Sequence, residues 1–267
     1  MVVTIVGTHH YDQKGEERVK KILNSHQPEI IFVEGVENSE KFYKKIAKLE
    51  EEFYTKYVDN LPPKGKNIFE TEMKQFKPGP ENLVETIVND DSKIIYLDDE
   101  NYLKKRLEIY KKELDSVGKI ISSMNRYTTS KKDDEETREY KTAHTIRAFS
   151  YLYPDEYYKL ILQRPVDVDR ILMNNYNLSK ESAKEIEEEI RKIYSKPQNL
   201  VNSDFIGERD EKWYKIVKKT DPEDAVSFVG ILHAIPEIEN NFYNILKKDR
   251  EVKFLPLIDA DKISYNL

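Results

Sequence analysis

The chain opens with an apolar run, Val2-Val3-Thr4-Ile5-Val6-Gly7-Thr8-His9-His10, which predicts a buried β-strand followed by a sharp exit from the sheet. A similar run, Ala225-Val226-Ser227-Phe228-Val229-Gly230-Ile231-Leu232-His233, stands near the other end of the chain. In both, a run of mostly apolar residues is followed by glycine, two further residues and histidine. A single Gly-x-x-His match is a weak signal. Two of them, each after an apolar strand, predict one site assembled from both ends of the chain.

Both runs begin a strand–helix–strand pattern. Short continuous apolar runs are typical of strands that are covered on both faces, and strands joined through a helix are parallel with a right-handed crossover. We therefore predict an α/β fold with a mostly parallel sheet built from two βαβ halves, together with a helical insertion lobe. The predicted strands are Val2–Val6, Ile30–Val33, Lys93–Leu97, Ala225–Val229 and Val252–Leu255, and the predicted helices of the core are Glu16–Ser25, Ser39–Tyr57, Glu81–Val88, Ile206–Thr220 and Pro236–Lys248.

The middle of the chain differs from both ends, because it is rich in Lys, Glu, Tyr and Leu and almost free of glycine. Its clearest predicted helices are Asp133–Tyr153 and Ser179–Tyr194. We predict that 1–100 and 200–267 form the α/β core and that 101–199 form a helical insertion or lid, in a single compact unit. Two interpretations of the insertion stay open: it covers the sheet, or it forms a wall of the substrate site.

Composition excludes several kinds of site and partner. No cysteine is present among the 267 residues, which excludes disulfides, thiolate metal ligands and cysteine nucleophiles. The net charge is -6 and basic residues alternate with acidic ones, so no basic surface for nucleic acid is expected. No secretory signal and no run of about 20 apolar residues is found. We predict a cytoplasmic protein without a membrane-spanning segment; nothing in the sequence specifies its oligomeric state.

The candidate site residues follow predicted strands. Ligands of open α/β sheets bind beyond the carboxyl ends of the strands, where His10, His233 and Glu34 fall. An ionised carboxylate at the end of an apolar strand is costly without a metal, a cation or several donors. Glu34 is therefore a metal ligand, a general base, the partner of Arg209 or the cap of the next helix. Arg209 either orients that carboxylate, stabilises an oxyanion or is an exposed helix residue.

Two histidines and one carboxylate suit a divalent metal with an open water position. The ligands would be His10, Glu34 and His233, and His9 is an additional candidate. Without a metal, a Glu–His pair can activate water as a general base, and both possibilities stay open at this stage. The chain has no Gly-x-Ser-x-Gly, Walker A, Gly-x-Gly-x-x-Gly or His-Glu-x-x-His motif, so nucleotide use and zincin chemistry are unsupported.

The order of these motifs resembles a known group of proteins. The run from Gly7 to His10, a helix, and then Pro28-Glu29-Ile30-Ile31-Phe32-Val33-Glu34 resemble the opening of the TraB/PrgY/Tiki superfamily. The same resemblance extends to four further segments in matching order, which are Glu72-Met73, Ile94-Ile95-Tyr96-Leu97-Asp98, Glu208-Arg209-Asp210 and Gly230-Ile231-Leu232-His233. It covers about residues 1–100 and 200–260, while the middle lobe matches only as a generic helical insertion.

The superfamily includes metal-dependent proteases similar to Tiki, proteins that shut down peptide pheromone signals, and relatives of erythromycin esterase and of the haem-binding ChaN group. The resemblance implies a hydrolase-like site formed by His10, His233, Glu34 and Arg209, with Glu72 as a further candidate. It favours a hydrolase dependent on a divalent metal ion (Mn, Co or Zn) and acting on a peptide or small-molecule substrate. Two alternatives are a metal-independent esterase-like hydrolase and a non-catalytic protein that sequesters a peptide or ligand.

Overall fold

The computed structural model describes residues 2–10, 12–37, 40–53, 55–56, 79–88, 91–112, 149, 153–176, 179–194, 196–200 and 206–263. Within these residues five strands form one sheet, in which all pairings are parallel and the order is β3-β2-β4-β1-β5. The strands are β1 (Val2–Thr8), β2 (Ile30–Val33), β3 (Lys93–Tyr96), β4 (Asp224–Gly230) and β5 (Glu251–Pro256). The predicted α/β fold with a parallel sheet is confirmed.

In chain order the helices of the described residues are α1 (Gly15–His26), α2 (Glu40–Phe53), α3 (Pro80–Ile87), α4 (Pro154–Ile161), α5 (Val168–Tyr176), α6 (Lys180–Tyr194), α7 (Glu208–Thr220), α8 (Ile231–Ala234) and α9 (Phe242–Leu246). Five of the predicted helices, α1, α2, α3, α6 and α7, begin and end within four residues of the predicted bounds. Residues 100–112 are also helical, and two 3₁₀ helices span Pro197–Leu200 and Leu257–Lys262. The predicted helix Asp133–Tyr153 lies almost entirely outside the described residues.

The prediction of one helix over Pro236–Lys248 is wrong, because the segment contains a turn followed by the short helix α9. Asn241 explains the interruption. Its side-chain amide donates to the carbonyl oxygens of Leu232 and Ile235, and its side-chain oxygen accepts from the backbone N–H of Asn244. An asparagine at a helix N-cap competes with the continuous helical hydrogen-bond pattern, so α9 starts at Phe242.

The two βαβ halves interlock instead of lying side by side. Strand β4 lies between β1 and β2, and β1 lies between β4 and β5. In the pairing of β1 with β4, Gly7 stands beside Val229 and Thr8 beside Gly230. The connections after these two central strands therefore leave in opposite directions, and open α/β sheets bind ligands at the carboxyl edge beside such a pair of strands. Both Gly-x-x-His motifs stand at that edge, after neighbouring strands.

Alternate residues of the strands pack on the two helical layers, as a period of two requires. On one face the core contains Val3 and Ile5 of β1, Phe32 of β2, Ala225 and Val229 of β4, Trp213 and Val217 of α7, and Ala234, Phe242 and Leu246 from α8 and α9. On the other side, α1 packs against α3 and against the 3₁₀ helix Leu257–Lys262. The central strands are therefore covered on both faces, which explains their uninterrupted apolar sequences.

Two helices end in the same way directly before a strand. Gln27 and Asp221 have positive φ values of 44° and 47°, and their backbone N–H groups donate to the carbonyls of Leu23 and Val217. A left-handed residue at this position closes the last helical turn. In both cases proline follows and prevents the helix from continuing, so β2 and β4 begin within a few residues.

The chain divides into two compact units. One contains Met1–Gly35, Lys77–Asp98 and Tyr153–Leu267, and the other contains Val36–Phe76 and Asp99–Leu152. The predicted boundaries placed 1–100 and 200–267 in the core and 101–199 in an insertion, whereas this division assigns 153–199 to the unit that holds the sheet. In the second unit Ile46, Phe53 and Tyr110 are buried. Among the helices described, none is long and apolar enough to cross a membrane.

Candidate functional site

The functional side chains reach the carboxyl edge of the sheet in two ways. His10, Glu34, Asp98 and His233 follow the strands β1, β2, β3 and β4. Helices that lead into parallel strands run antiparallel to them, so their first turns lie at the same edge. Helix α3 leads to β3 and brings Glu81, while α7 leads to β4 and brings Arg209 and Asp210.

Glu34 is buried, and both of its carboxylate oxygens have partners. Oε1 lies 2.8 Å from Nη1 of Arg209, and Oε2 accepts a hydrogen bond from the backbone N–H of Gly230. A Cβ atom at position 230 would lie 3.2 Å from Oε2. The glycine of the second motif, with φ -52°, therefore serves close approach of the carboxylate and not a left-handed turn. Of the sequence alternatives for Glu34, pairing with Arg209 is the one found.

Arg209 joins Glu34 to a second buried carboxylate, that of Asp98. Its Nε lies 2.9 Å from Oδ1 of Asp98, and its Nη2 donates to Oδ2 in a bidentate pair. The guanidinium carbon lies 4.3 Å from the ring centre of Trp213, whose Nε1 also donates to Asp98. Arginine suits this place because its planar fork binds carboxylates bidentately and stacks on aromatic faces.

His233 is held from both sides of its ring. Its Nδ1 lies 2.7 Å from Oδ1 of Asp210, and its Nε2 lies 3.3 Å from Nη1 of Arg209. An ionised carboxylate can only accept and a guanidinium can only donate. In the neutral ring Nδ1 therefore carries the proton and Nε2 accepts from Arg209. Asp210 is itself fixed at the start of α7, where its Oδ2 accepts from the backbone N–H of Gly207 at 3.0 Å.

We call Glu34, Asp98, Arg209 and His233 the Arg209 cluster. Burial by itself raises the pKa of Glu34, since it disfavours the charged form. The positive charge of Arg209 lowers this pKa. Protonated His233, protonated His10 and the hydrogen bond from the Gly230 N–H lower it further. The net result is a pKa of Glu34 well below its ordinary value. Glu34 is therefore a fixed anion at neutral pH and a poor proton donor.

This lowered pKa predicts a specific loss of stability in acid. A group whose pKa is depressed by folding stabilises the protein above its ordinary value, here 4.5, and loses that contribution as the pH falls further. We expect the urea-derived free energy of unfolding of Glu34→Gln to depend less on pH below about pH 5 than that of the unaltered protein. The matched control is Glu29→Gln, an exposed glutamate at the other end of β2. Equal acid dependence of the two variants would contradict the assignment.

His10 belongs to a second group at the same edge, which we call the His10 pair, His10 with Glu81. Nδ1 of His10 contacts Oε1 of Glu81, and Oε2 of Glu81 lies 3.0 Å from the hydroxyl of Thr8. The Glu81 side chain is 2% exposed, whereas that of His10 is 32% exposed. His10 is therefore the histidine of the two motifs that solvent and a substrate can reach more readily, since the His233 side chain is 8% exposed.

Two observations place the His10 pair beside the Arg209 cluster. The Thr8 hydroxyl that contacts Glu81 also lies 3.1 Å from the carbonyl oxygen of Val229, directly before the glycine that donates to Glu34. In addition, the positive charge of His10 contributes to the lowered pKa of Glu34. The sheet therefore brings all four sequence-predicted residues, His10, Glu34, Arg209 and His233, to one region of its carboxyl edge.

The loop that carries His10 is anchored to α1. Asp12, two residues after His10, accepts two hydrogen bonds of 2.8 Å from Nη1 of Arg18. Arg18 is fully buried and also pairs with Asp155 and Asp261. His9, the additional ligand candidate, points elsewhere: it is buried and its ring stacks on Tyr157 with centroids 4.2 Å apart. Glu72 lies outside the described residues.

The donor atoms of the predicted metal ligands are engaged by other groups. Arg209 contacts both Oε1 of Glu34 and Nε2 of His233, so two of the atoms that a metal would need as ligands already have a partner. Across the described part of the chain, no three His, Cys, Asp or Glu side chains are grouped so that they could hold a metal ion. The arrangement does not fit a metal held jointly by His10, Glu34 and His233. Metal dependence stays a prediction.

Three partners of the site were not singled out from the sequence: Asp98, Asp210 and Glu81. Asp98 follows β3 as Glu34 follows β2, so the strand-end rule that selected Glu34 also applies to Asp98. Asp210 and Glu81 stand in the first turns of helices that lead into strands. That position is a usable signal, although the order of elements along the chain must be known before it can be applied.

No match to this chain was found among protein-family models, curated proteins or solved structures. Membership of the TraB/PrgY/Tiki superfamily therefore stays a prediction that rests on the ordered motifs.

Proposed function

We propose that this protein is a hydrolase that cleaves an ester or amide bond with water activated by His10. One observation carries the proposal: two histidines at the ends of adjacent central strands are each held through Nδ1 by a buried carboxylate, at the edge of the sheet that also holds the Glu34–Arg209 ion pair. Carboxylate-held histidines are the usual general bases of hydrolysis.

His10 has the role of general base. As a water oxygen attacks the carbonyl carbon, Nε2 of His10 takes one of its protons, and a tetrahedral oxyanion forms. When the intermediate collapses, the bond to the leaving alkoxide or amide nitrogen breaks and the imidazolium returns the proton to that group. The products are a carboxylic acid and an alcohol or amine. The exposure of His10 favours it over the buried His233 for this role.

The Arg209 cluster supplies fixed charge next to the reaction. Glu34 remains ionised at neutral pH, so its negative charge stabilises the imidazolium that forms on His10 during the reaction. The positive charge of Arg209 stabilises the developing oxyanion. Preorganised charges of this kind are among the largest contributions to enzymatic rate. His233 and Asp98 hold the guanidinium in place through Nη1, Nη2 and Nε.

The test is hydrolysis by the purified full chain of an activated ester and of a fluorogenic peptide library, with and without a chelator. We expect turnover that survives EDTA and 1,10-phenanthroline, because no step of the proposed chemistry uses a metal. Loss of activity in chelator with recovery on addition of Mn²⁺, Co²⁺ or Zn²⁺ would replace this proposal by the metal-dependent hydrolase. Tight ligand binding without turnover would identify a sequestering protein instead.

A further inference from the structure

In the His10 pair, Glu81 holds the general base of the proposed function. Glu81 is a buried carboxylate with 2% of its side chain exposed, and its nearest partners are Nδ1 of His10 and the hydroxyl of Thr8. Burying an ionised carboxylate is costly unless strong donors compensate it. The Thr8 hydroxyl has one proton for two acceptors, Glu81 and the carbonyl oxygen of Val229, so the Nδ1 proton of His10 is the steadier donor to Glu81.

The same contact determines which nitrogen of His10 carries the proton. A neutral imidazole has one N–H and one lone pair, and the partner of one nitrogen selects the tautomer. With an ionised Glu81 at Nδ1, the proton resides on Nδ1 and the lone pair on Nε2. His233 has the same arrangement with Asp210, but there Nε2 already accepts from Arg209.

The backbone before Glu81 is adapted to this contact. A Cβ atom on Gly79 would lie only 2.6 Å from Nδ1 of His10 and would also collide with the carboxylate of Glu81. Gly79 has φ -69° and ψ 172°, a conformation open to any residue before a proline. The absence of a side chain at position 79 therefore serves the approach of His10 to Glu81 and not an unusual backbone angle.

We propose that Glu81 is the positioning residue of His10: it accepts the Nδ1 proton, fixes the ring, and presents Nε2 as the base, while Gly79 provides the space for the contact. This inference rests on the proposed function for its catalytic meaning. Its structural content, the tautomer and the contact, can be measured without any substrate.

The first measurement is the tautomer of His10 in the full chain. Long-range ¹H–¹⁵N NMR spectra at about pH 9, where an ordinary imidazole is neutral, distinguish Nδ1–H from Nε2–H, and His10→Asn identifies the signal. We expect the Nδ1–H form in the unaltered protein and a mixture of both tautomers in Glu81→Gln and in Gly79→Ala. The control is Glu85→Gln, one turn later on α3, where the carboxylate accepts a hydrogen bond from the hydroxyl of Tyr96; it should keep the Nδ1–H form.

The second measurement is the rate of hydrolysis of the substrate found in the screen. We expect kcat to fall by about 100-fold in Glu81→Gln and in Gly79→Ala with little change in KM, because the base is misoriented while substrate contacts remain. Glu85→Gln should retain full kcat. An Nε2–H tautomer in the unaltered protein, or an Nδ1–H tautomer that persists in both variants, would overturn the role of Glu81. Absence of hydrolysis alongside the expected tautomers would overturn the proposed function but not the Glu81–His10 contact.

Discussion

Replacing Arg209 with methionine is expected to lower the free energy of unfolding by about 3–5 kcal/mol, the usual cost of removing one partner from a buried ion pair. Glu34 and Asp98 would both remain buried, with side chains 6% and 2% exposed, and would lose their shared cation. Trp213 would also lose the guanidinium that stacks on its ring. The measurement is urea unfolding at neutral pH, followed by the fluorescence of the single tryptophan.

The matched control is Arg191→Met on α6. Arg191 is exposed, pairs with Glu187 one turn earlier on the same helix, and donates to the carbonyl oxygen of Val166. Exposed pairs of this kind contribute about 0–1 kcal/mol, so the control should unfold almost like the unaltered protein. An equal effect of the two substitutions would contradict the burial of charge in the Arg209 cluster.

A double-mutant cycle between Arg209→Met and Glu34→Gln separates the ion pair from general loss of packing. Because each substitution removes the same contact, we expect the double variant to be more stable than the sum of the two single effects by more than about 1 kcal/mol. Arg209→Lys should also lower the free energy of unfolding, by no more than Arg209→Met does. One ammonium cannot reproduce the bidentate contact with Asp98 and the contact with Glu34 together. Strict additivity in the cycle would show that Arg209 and Glu34 do not interact.

Replacing His10 with asparagine is expected to reduce kcat by about 10³-fold, within the range that general-base catalysis provides. The side-chain amide of asparagine can take the place of the Nδ1–H group and still donate to Glu81. The base is therefore removed while the buried carboxylate keeps a donor. Stability should change by less than about 1 kcal/mol, which separates the loss of rate from a loss of fold.

The comparison is His233→Asn, which likewise keeps a donor toward Asp210 but removes the acceptor for Arg209. We expect this variant to lose stability, because His233 is buried and its ring lies 4.6 Å from that of Trp213. The ascending limb of the pH–rate profile should disappear in His10→Asn and persist in His233→Asn. A larger fall in kcat for His233→Asn, with loss of that limb, would exchange the roles of the two histidines.

Much of the fold follows from local patterns in the sequence. The strands are short apolar runs bounded by proline, glycine or charge, and β2 begins and ends at the predicted residues. The predicted helix over Pro236–Lys248 was wrong because its interruption depends on Asn241 reaching two carbonyls in the turn before α9. Apolar periodicity does not report a side chain that competes with the backbone for hydrogen bonds.

The part of the candidate site that follows strand ends can be predicted from the sequence. The sequence predicts His10, Glu34 and His233 because polar residues directly after buried strands meet at one edge of a parallel sheet. The sequence does not predict Glu81 as a site residue, because 73 positions separate it from Thr8 and its surroundings in the sequence look like an ordinary helix start. Its role arises only when α3 and β1 are brought together.

The sequence by itself determined that this chain forms a parallel α/β sheet and that two histidines and a glutamate stand at its carboxyl edge, because apolar runs and strand ends are local properties. Only the tertiary structure decided which groups are partners. The interlocked order of the strands puts β4 beside β2, so Gly230 donates to Glu34, and the first turns of α3 and α7 bring Glu81, Arg209 and Asp210 to the same edge. Buried charges must find partners wherever the fold puts them, and a linear pattern does not encode those distances.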